Sequence, residues 1–235
     1  MTSALLSAQD VRRRLGRGED RFEVTVEHLA LSRGDRIAMV GPSGCGKSTL
    51  LALLSLALRP DTASAFYLAD IDVRDLWQRR RLDALGAVRA RAVGFVPQTG
   101  GLLPFLTLRA NIALPLDLLH RPEPARVEHL AVLLDITGAL DRLPADVSVG
   151  QRQRAAVARA VVHRPTILLA DEPTASVHPA QAEATIRLLV AAAEEAGAAL
   201  LIATHDSALA AARSLATVPV RTVQRGAGSV FAWPC

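Results

Sequence analysis

Apolar residues fall along the chain in short runs whose spacing switches between two periods. From Phe22 to Leu31 they mostly alternate, with Phe22, Val24 and Val26 on one face, which predicts a strand. Arg33-Gly34-Asp35 makes a turn, and Ile37-Ala38-Met39-Val40 is apolar throughout, as a strand covered on both faces must be. The Leu-rich run Leu50 to Leu58 predicts a helix, broken by Arg59-Pro60-Asp61. Phe66 to Val73 reads as one strand or two short ones. An Arg- and Ala-rich helix follows from about Leu76 to Ala90, then the short buried strand Val93-Gly94-Phe95-Val96. Beyond Thr99-Gly100-Gly101, a hinge, residues Leu102 to about Val147 carry helical periodicity interrupted by Pro104, Pro115, Pro122, Pro124 and Pro144, a helical insertion. Ser148 and Gln151 fit a capping box at the head of one helix running to His163, and Pro165 stops it. Ile167-Leu168-Leu169-Ala170 is a central strand, Pro179 to about Ala196 an amphipathic helix ended by Gly197, and Leu200-Leu201-Ile202-Ala203 another buried strand. Strands alternating with helices predict an α/β fold with a parallel sheet and ligands at its carboxyl edge.

Between the strand at Ile37 and the Leu-rich helix lies Gly41-Pro42-Ser43-Gly44-Cys45-Gly46-Lys47-Ser48-Thr49. The glycines permit a tight turn that points consecutive N–H groups inward, where the positive end of the following helix dipole adds to them. This is a phosphate cradle: Lys47 reaches the β- and γ-phosphates, and the Ser48 hydroxyl takes a place on Mg²⁺. Of the 27 basic residues, 26 are Arg and the single Lys is Lys47, an ammonium kept where a compact point charge suits a triphosphate. Cys45 inside the loop is a small space-filling residue or, less simply, a reactive thiol. Asp171-Glu172 directly follows the central strand, where one carboxylate can hold Mg²⁺ through water and the second can polarise an attacking water.

Composition narrows the surroundings. The chain of 235 residues is half hydrophobic and has no apolar run of the roughly 20 residues that would span a bilayer. Its opening Met1-Thr2-Ser3-Ala4-Leu5-Leu6 is too short for a signal-peptide apolar region, and Cys45 and Cys235 make no disulfide framework, so a cytoplasmic protein is expected. A net charge of +4 with dense Arg points toward nucleic acid or anionic lipid, but one Tyr and two Trp argue against stacking platforms for single-stranded nucleic acid. The clusters Arg12-Arg13-Arg14 and Arg79-Arg80-Arg81 read as solvated faces or, alternatively, as membrane-proximal ones.

The order of phosphate loop, Gln98, Ser148-Val149-Gly150-Gln151, Leu168-Leu169-Ala170-Asp171-Glu172-Pro173-Thr174 and Thr204-His205-Asp206 resembles the ATP-binding cassette (ABC) ATPases over nearly the whole chain. Phe95-Val96-Pro97-Gln98, Leu102-Leu103-Pro104, Leu106-Thr107, Asn111 and Leu114-Pro115-Leu116 are similar to the branch of lipoprotein-releasing, macrolide-export and cell-division ATPases. The resemblance implies a P-loop NTPase with a RecA-like parallel core and an antiparallel β subdomain, residues 1–98 and 164–235, and an inserted α-helical subdomain, residues 99–163. It implies that Gly41, Pro42, Ser43, Gly44, Cys45, Gly46, Lys47, Ser48 and Thr49 bind ATP, and that Ser48, Gln98 and Asp171 attend Mg²⁺. Glu172 would be the general base, with Gln98 and His205 sensing the γ-phosphate. Ser148, Gly150 and Gln151 would face the ATP of a second subunit, in a homodimer or a pseudo-dimer with another ABC ATPase. A separate transmembrane permease would be the partner, at the inner face of the membrane, with no direct nucleic acid. The leucines of Leu102 to Leu106 either belong to the subdomain core or line a groove for a helix of that permease.

Three departures from the family's pattern stand out. Val149 occupies the first position of the usual double glycine, with Gly150 retained. His178, ahead of Pro179, stands where an Asp normally links the two sites, and is otherwise a surface residue in place of a helix cap. The position of the aromatic that commonly stacks on adenine falls at Leu15, beside Arg14. The function implied is ATP hydrolysis driving a membrane transporter or mechanotransmission complex; the alternative is a slow or degenerate ATPase that regulates or scaffolds such a complex. A reading as a DNA-repair or chromosome-organising ATPase of the same superfamily lacks support, because no long coiled-coil or zinc-binding insertion interrupts this chain.

Overall fold

The computed structural model describes residues 4–16, 21–175, 179–206, 215–223 and 228–232. Among these the strands form two sheets. The parallel one runs, in spatial order, through β6 (Val93–Val96), β7 (Ile167–Asp171), β8 (Ala199–Thr204), β3 (Arg36–Val40) and β9 (Ala216–Pro219). The other is β10 (Arg221–Val223), β11 (Gly228–Ala232), β2 (Phe22–Leu31), β1 (Leu6–Leu15), β4 (Ala65–Leu68) and β5 (Ile71–Asp72), antiparallel except where β11 meets β2.

The interior positions of β3, β7 and β8 are apolar throughout because each face of the sheet supplies a different core. Ala38, Leu168, Ala170, Leu200 and Ile202 join one buried cluster with the helices α4 (Leu108–Leu118), α5 (Pro124–Leu133), α6 (Val149–Val161) and α7 (Pro179–Ala196). Their neighbours Ile37, Met39, Ile167, Leu169, Ala199, Leu201 and Ala203 join a second, with α1 (Lys47–Leu54), α3 (Leu82–Ala92) and the antiparallel sheet. The period-2 alternation of side chains thus makes the sheet a partition between two apolar layers. Residues of β3, β7 and β8 at its carboxyl edge lead straight into the loops that carry the site.

Several elements differ from the sequence expectation. The Leu-rich helix ends at Leu54 and not at Leu58: Ser55 closes it, and Leu56 adopts a left-handed φ of 58°. Phe66 to Val73 resolves into the two short strands β4 and β5. The helix expected over 76–90 is two, α2 (Val73–Gln78) and α3, because Arg80 turns left-handed at φ 53° between them. Nor are the first arginines simply solvated: Arg13 Nη1 donates to Asp61 Oδ1 at 2.8 Å and Arg14 Nε to Glu23 Oε2 at 2.6 Å, tying β1 to its neighbours.

The segment between Gln98 and α6 is built on one buried amide. Asn111 is fully buried; its Oδ1 accepts from Leu103 N–H at 2.8 Å, while Nδ2 donates to the carbonyls of Leu103, Leu106 and Thr107 at 3.0, 2.9 and 3.1 Å. The loop is thereby fixed by four hydrogen bonds inside the low-dielectric interior. It leaves Leu102, Leu103 and Leu106 half-buried and Phe105 73% exposed.

Candidate nucleotide site

The loop between β3 and α1 closes around left-handed glycines: Gly44 has φ 78°, and Gly46, the cap of α1, has φ 89°. Gly41 is required for another reason, since a Cβ there would meet Cys45 Sγ and Val220 Cβ at 2.9 Å. Cys45 is buried against that backbone, a space-filling role. Lys47 opens α1 with its side chain 5% exposed, and its Nζ donates to the carbonyls of Gly41 at 2.8 Å and Pro42 at 3.0 Å. It also lies 3.1 Å from Glu172 Oε1.

Glu172 is the most constrained acid of the site. It follows β7 with φ 43°, a left-handed conformation that costs a non-glycine residue of order 1–3 kcal/mol. Its N–H is held by Ala203 O at 2.9 Å, and its own carbonyl accepts from Ala175 N–H at 3.0 Å. Its Oε2 accepts from His205 Nδ1 at 2.8 Å, so the imidazole presents its protonated Nδ1 to a carboxylate that can only accept. One carboxylate therefore bridges the lysine of β3–α1 and the histidine at the end of β8. Asp171 beside it is half-buried: its Oδ1 is buried and, among the described residues, has no partner. Burial holds its carboxyl above the usual range; the Ser48 hydrogen bond lowers it, the Glu172 charge raises it and Lys47 lowers it.

These groups open on one cleft of about 540 Å³, lined by Ser43, Gly44, Lys47, Ser48, Thr49, Gln98, Glu172 and His205, with Leu15 and Phe22 at its apolar wall. The sequence-predicted Ser43, Gly44, Gly46, Lys47, Ser48, Thr49, Gln98, Glu172, His205 and Leu15 are thus brought together, whereas Gly41, Pro42, Cys45 and Asp171 do not line the cleft. Phe22 joins them although the sequence gives it only a strand face, because its position opposite Leu15 depends on β1, which the hydrophobic pattern does not reveal. The residues fit Mg²⁺: a hydroxyl, a half-buried carboxylate with an orphaned oxygen and room for phosphate and water are what this cation takes in such sites. No cluster of three or more His, Cys, Asp or Glu that could cage a metal occurs among the described residues.

The second group does not join the first. Ser148 caps α6, its Oγ accepting from Gln151 N–H at 3.2 Å while Gln151 Oε1 accepts from Ser148 N–H at 3.0 Å, the expected capping box. Ser148, Val149, Gly150 and Gln151 line a separate groove of about 670 Å³ with Gln153, Arg154 and residues of α7, and it shares no lining residue with the first cleft. Val149 is 52% exposed. A Cβ on Gly150 would meet nothing nearer than Ser148 Oγ at 4.0 Å, so packing within the described residues does not call for a glycine there. Gln98 also borders a third groove of about 370 Å³, shared with Pro97, Leu102, Val149 and Pro173. His178 lies outside the described residues.

Comparison with known proteins agrees with this geometry. The sequence model of the family described as ABC transporter matches residues 25–175. The chain is 37% identical to a lipoprotein-releasing system ATP-binding protein LolD of Legionella pneumophila, covering 89% of this chain and 92% of that one. It is 40% identical to the ABC transporter ATP-binding protein YvcR of Bacillus subtilis, over 77% and 70% of the two chains. It is 35% identical to the macrolide export ATP-binding/permease protein MacB of Sodalis glossinidius, covering 89% of this chain but 32% of that one. Among solved structures, the dimeric ABC transporter cassette MJ0796 superposes with a TM-score of 0.74 at 29% identity over 88% of this chain and 90% of that one. A dimeric post-hydrolysis state of the same cassette, bound to ADP and Pi, gives 0.73 at 29% identity, over 87% and 90%. Phosphate loop, paired acids, capped signature helix and these likenesses agree: the chain belongs to the ABC transporter ATPase family.

Proposed function

We propose that the chain is the ATP-hydrolysing subunit of a membrane transporter or mechanotransmission complex, working as an ATP-bridged dimer against a separate permease. The observation that carries the reading is Glu172, held in a strained backbone conformation with one carboxylate oxygen on Lys47 and the other on His205. A triphosphate entering the cleft competes with that carboxylate for Lys47, whose ammonium it neutralises better. Glu172 is then released to accept a proton from the attacking water, while His205, at the same rim, donates to the γ-phosphate. Mg²⁺, held by Ser48 and through water by Asp171, with Gln98 alongside, would neutralise charge on the β- and γ-phosphate oxygens. Asp171's cost of burial is the reason it suits a cation.

Gly150 supports the dimer. A glycine in the first turn of a helix lowers helix stability, and its own chain leaves open space beside it. Close approach by a group from outside the chain explains it, and the free N–H groups at the capped start of α6 favour a γ-phosphate held by a second copy. That the two clefts of one chain share no lining residue supports assigning Ser148, Gly150 and Gln151 to the partner's ATP. Residues 99–163 then act as an arm, with Gln98 touching both the nucleotide cleft and the groove beneath that arm. The exposed Phe105 on the loop pinned by Asn111 suits contact with a permease. No described helix is long and apolar enough to cross a membrane, and the relative MacB is by name both ATP-binding and permease, which supports a permease as the partner.

Glu172→Gln should leave ATP binding intact, reduce turnover at least 10³-fold or so and trap an ATP-bound dimer on a sizing column. Hydrolysis at the wild-type rate would sink the assignment. Turnover with and without a membrane partner separates a transporter ATPase from the slower regulator.

A further inference from the structure

The cleft has an apolar end that the hydrolytic residues leave unused. Leu15 closes β1 and Phe22 opens β2, and the two are directly opposed in the antiparallel register. Both line the cleft together with Ser43, Gly44 and Gly46. The Phe22 ring leans on the phosphate loop itself: a Cβ on Gly46 would lie 2.9 Å from Phe22 Cε1 and 3.2 Å from Cζ. The ring is half-buried, packing against the second core while it borders the cleft. With five Phe, two Trp and one Tyr in the whole chain, an aromatic at this place is a scarce resource.

Family resemblance points the base at Leu15, which has no π face to offer. We propose that the base of the bound nucleoside triphosphate stacks on Phe22, from the neighbouring strand, with Leu15 as the adjoining apolar edge. A planar base gains from an aromatic face whatever its hydrogen-bonding edge presents, whereas a leucine gives contact without stacking. Register makes the relocation possible. Positions directly opposite on an antiparallel pair stand about 5 Å apart, so an aromatic at Phe22 reaches the same end of the cleft as Leu15 without moving the backbone.

The inference rests on the cleft being an ATP site, and the test separates the two claims. Binding of Mg-ATP and of Mg-tripolyphosphate, which carries three phosphates and no base, is measured by calorimetry on the full chain and on Phe22→Leu, Phe22→Tyr, Leu15→Ala and Lys47→Ala. Phe22→Leu keeps an apolar side chain against Gly46 and removes the ring. It should weaken ATP roughly tenfold, the low end of base–aromatic stacking, and change tripolyphosphate affinity less than about twofold. Phe22→Tyr should restore ATP affinity, and Leu15→Ala should cost less than Phe22→Leu. Equal loss of both ligands in Phe22→Leu would make the ring a mere prop for the loop and overturn the proposal. Unchanged ATP affinity, or a larger loss from Leu15→Ala, would overturn it too. If Lys47→Ala binds both ligands as well as wild type, the ATP-site reading itself fails, and the base platform with it.

Discussion

Asp171 and Glu172 are neighbours in sequence with opposite surroundings. Glu172 is paired on both oxygens, whereas Asp171 keeps a buried oxygen without a partner among the described residues and a carboxyl held above its usual range chiefly by burial. The sign of the consequence follows from proton linkage. With the folded pKa raised, the folded state binds the proton more tightly than the unfolded chain. This contribution to stability is therefore full below the unfolded value of about 3.9 and is lost as pH rises through the folded one. At pH 7 the wild type bears the cost of an ionised Asp171. Asp171→Asn should melt above wild type at pH 7 without Mg²⁺ or nucleotide, and the difference should shrink toward pH 4; a lower melting point at pH 7 would contradict it. The same variant should lose the added thermal protection that Mg-ATP gives the wild type. The acids were legible because two carboxylates after an apolar strand, in a chain that also carries a phosphate loop, have few other uses. Glu172's left-handed backbone was not legible: no glycine marks it, and the strain is imposed by Ala203 on the adjacent strand.

At the scale of elements, local chemistry was readable and tertiary compensation was not. The start of α6 was foreseen from Ser148 and Gln151 because a capping box is complete within four residues. By contrast β1 hides behind Arg12, Arg13 and Arg14, and behind Asp10, whose φ of 50° shifts the buried positions from Leu6 and Ala8 to Val11. Likewise the break between α2 and α3 sits in an arginine run with no Gly or Pro to announce it. The far end of α6 is anchored differently from its head. Arg126 of α5 donates to the carbonyls of Val161 and Val162 and pairs with Glu195 of α7, while His163 packs on β6 with its Nε2 at 3.2 Å from Val93 O. Burial lowers the His163 pKa, and the bond to Val93 only partly opposes it. A depressed histidine gives stability that is present above the unfolded value of about 6.5 and lost as pH falls toward the folded one. His163→Gln should therefore flatten the loss of stability below pH 6.5, read as urea midpoints at pH 7.5 and 5.5. An unchanged slope would mean that the ring charges freely and α6 does not depend on its neutrality.

For the whole molecule, the partition made by the parallel sheet sets what can move. One apolar layer ties the phosphate loop helix α1 to the antiparallel sheet, and the other ties α4, α5 and α6 to α7, so the cleft at Lys47 and the groove at Ser148 are carried by different cores. Gly150 belongs to that groove, and its own chain has no use for it. Gly150→Ala should raise or leave unchanged the melting temperature of the monomer, alanine being favoured over glycine in a helix by up to about 1 kcal/mol. It should nonetheless weaken the ATP-bound dimer of Glu172→Gln by roughly tenfold in sedimentation, a loss of about 1.4 kcal/mol. An undiminished dimer would show that no group from outside approaches that turn.

Lys47, finally, is the only lysine in 235 residues, and its side chain is 5% exposed with its ammonium paired with Glu172. Side-chain acylation by an amine-reactive reagent has a single address in this protein, at the centre of the phosphate loop. Its rate reports how often that loop opens, and protection by a bound triphosphate makes the same amine a built-in gauge of occupancy, with no label to engineer.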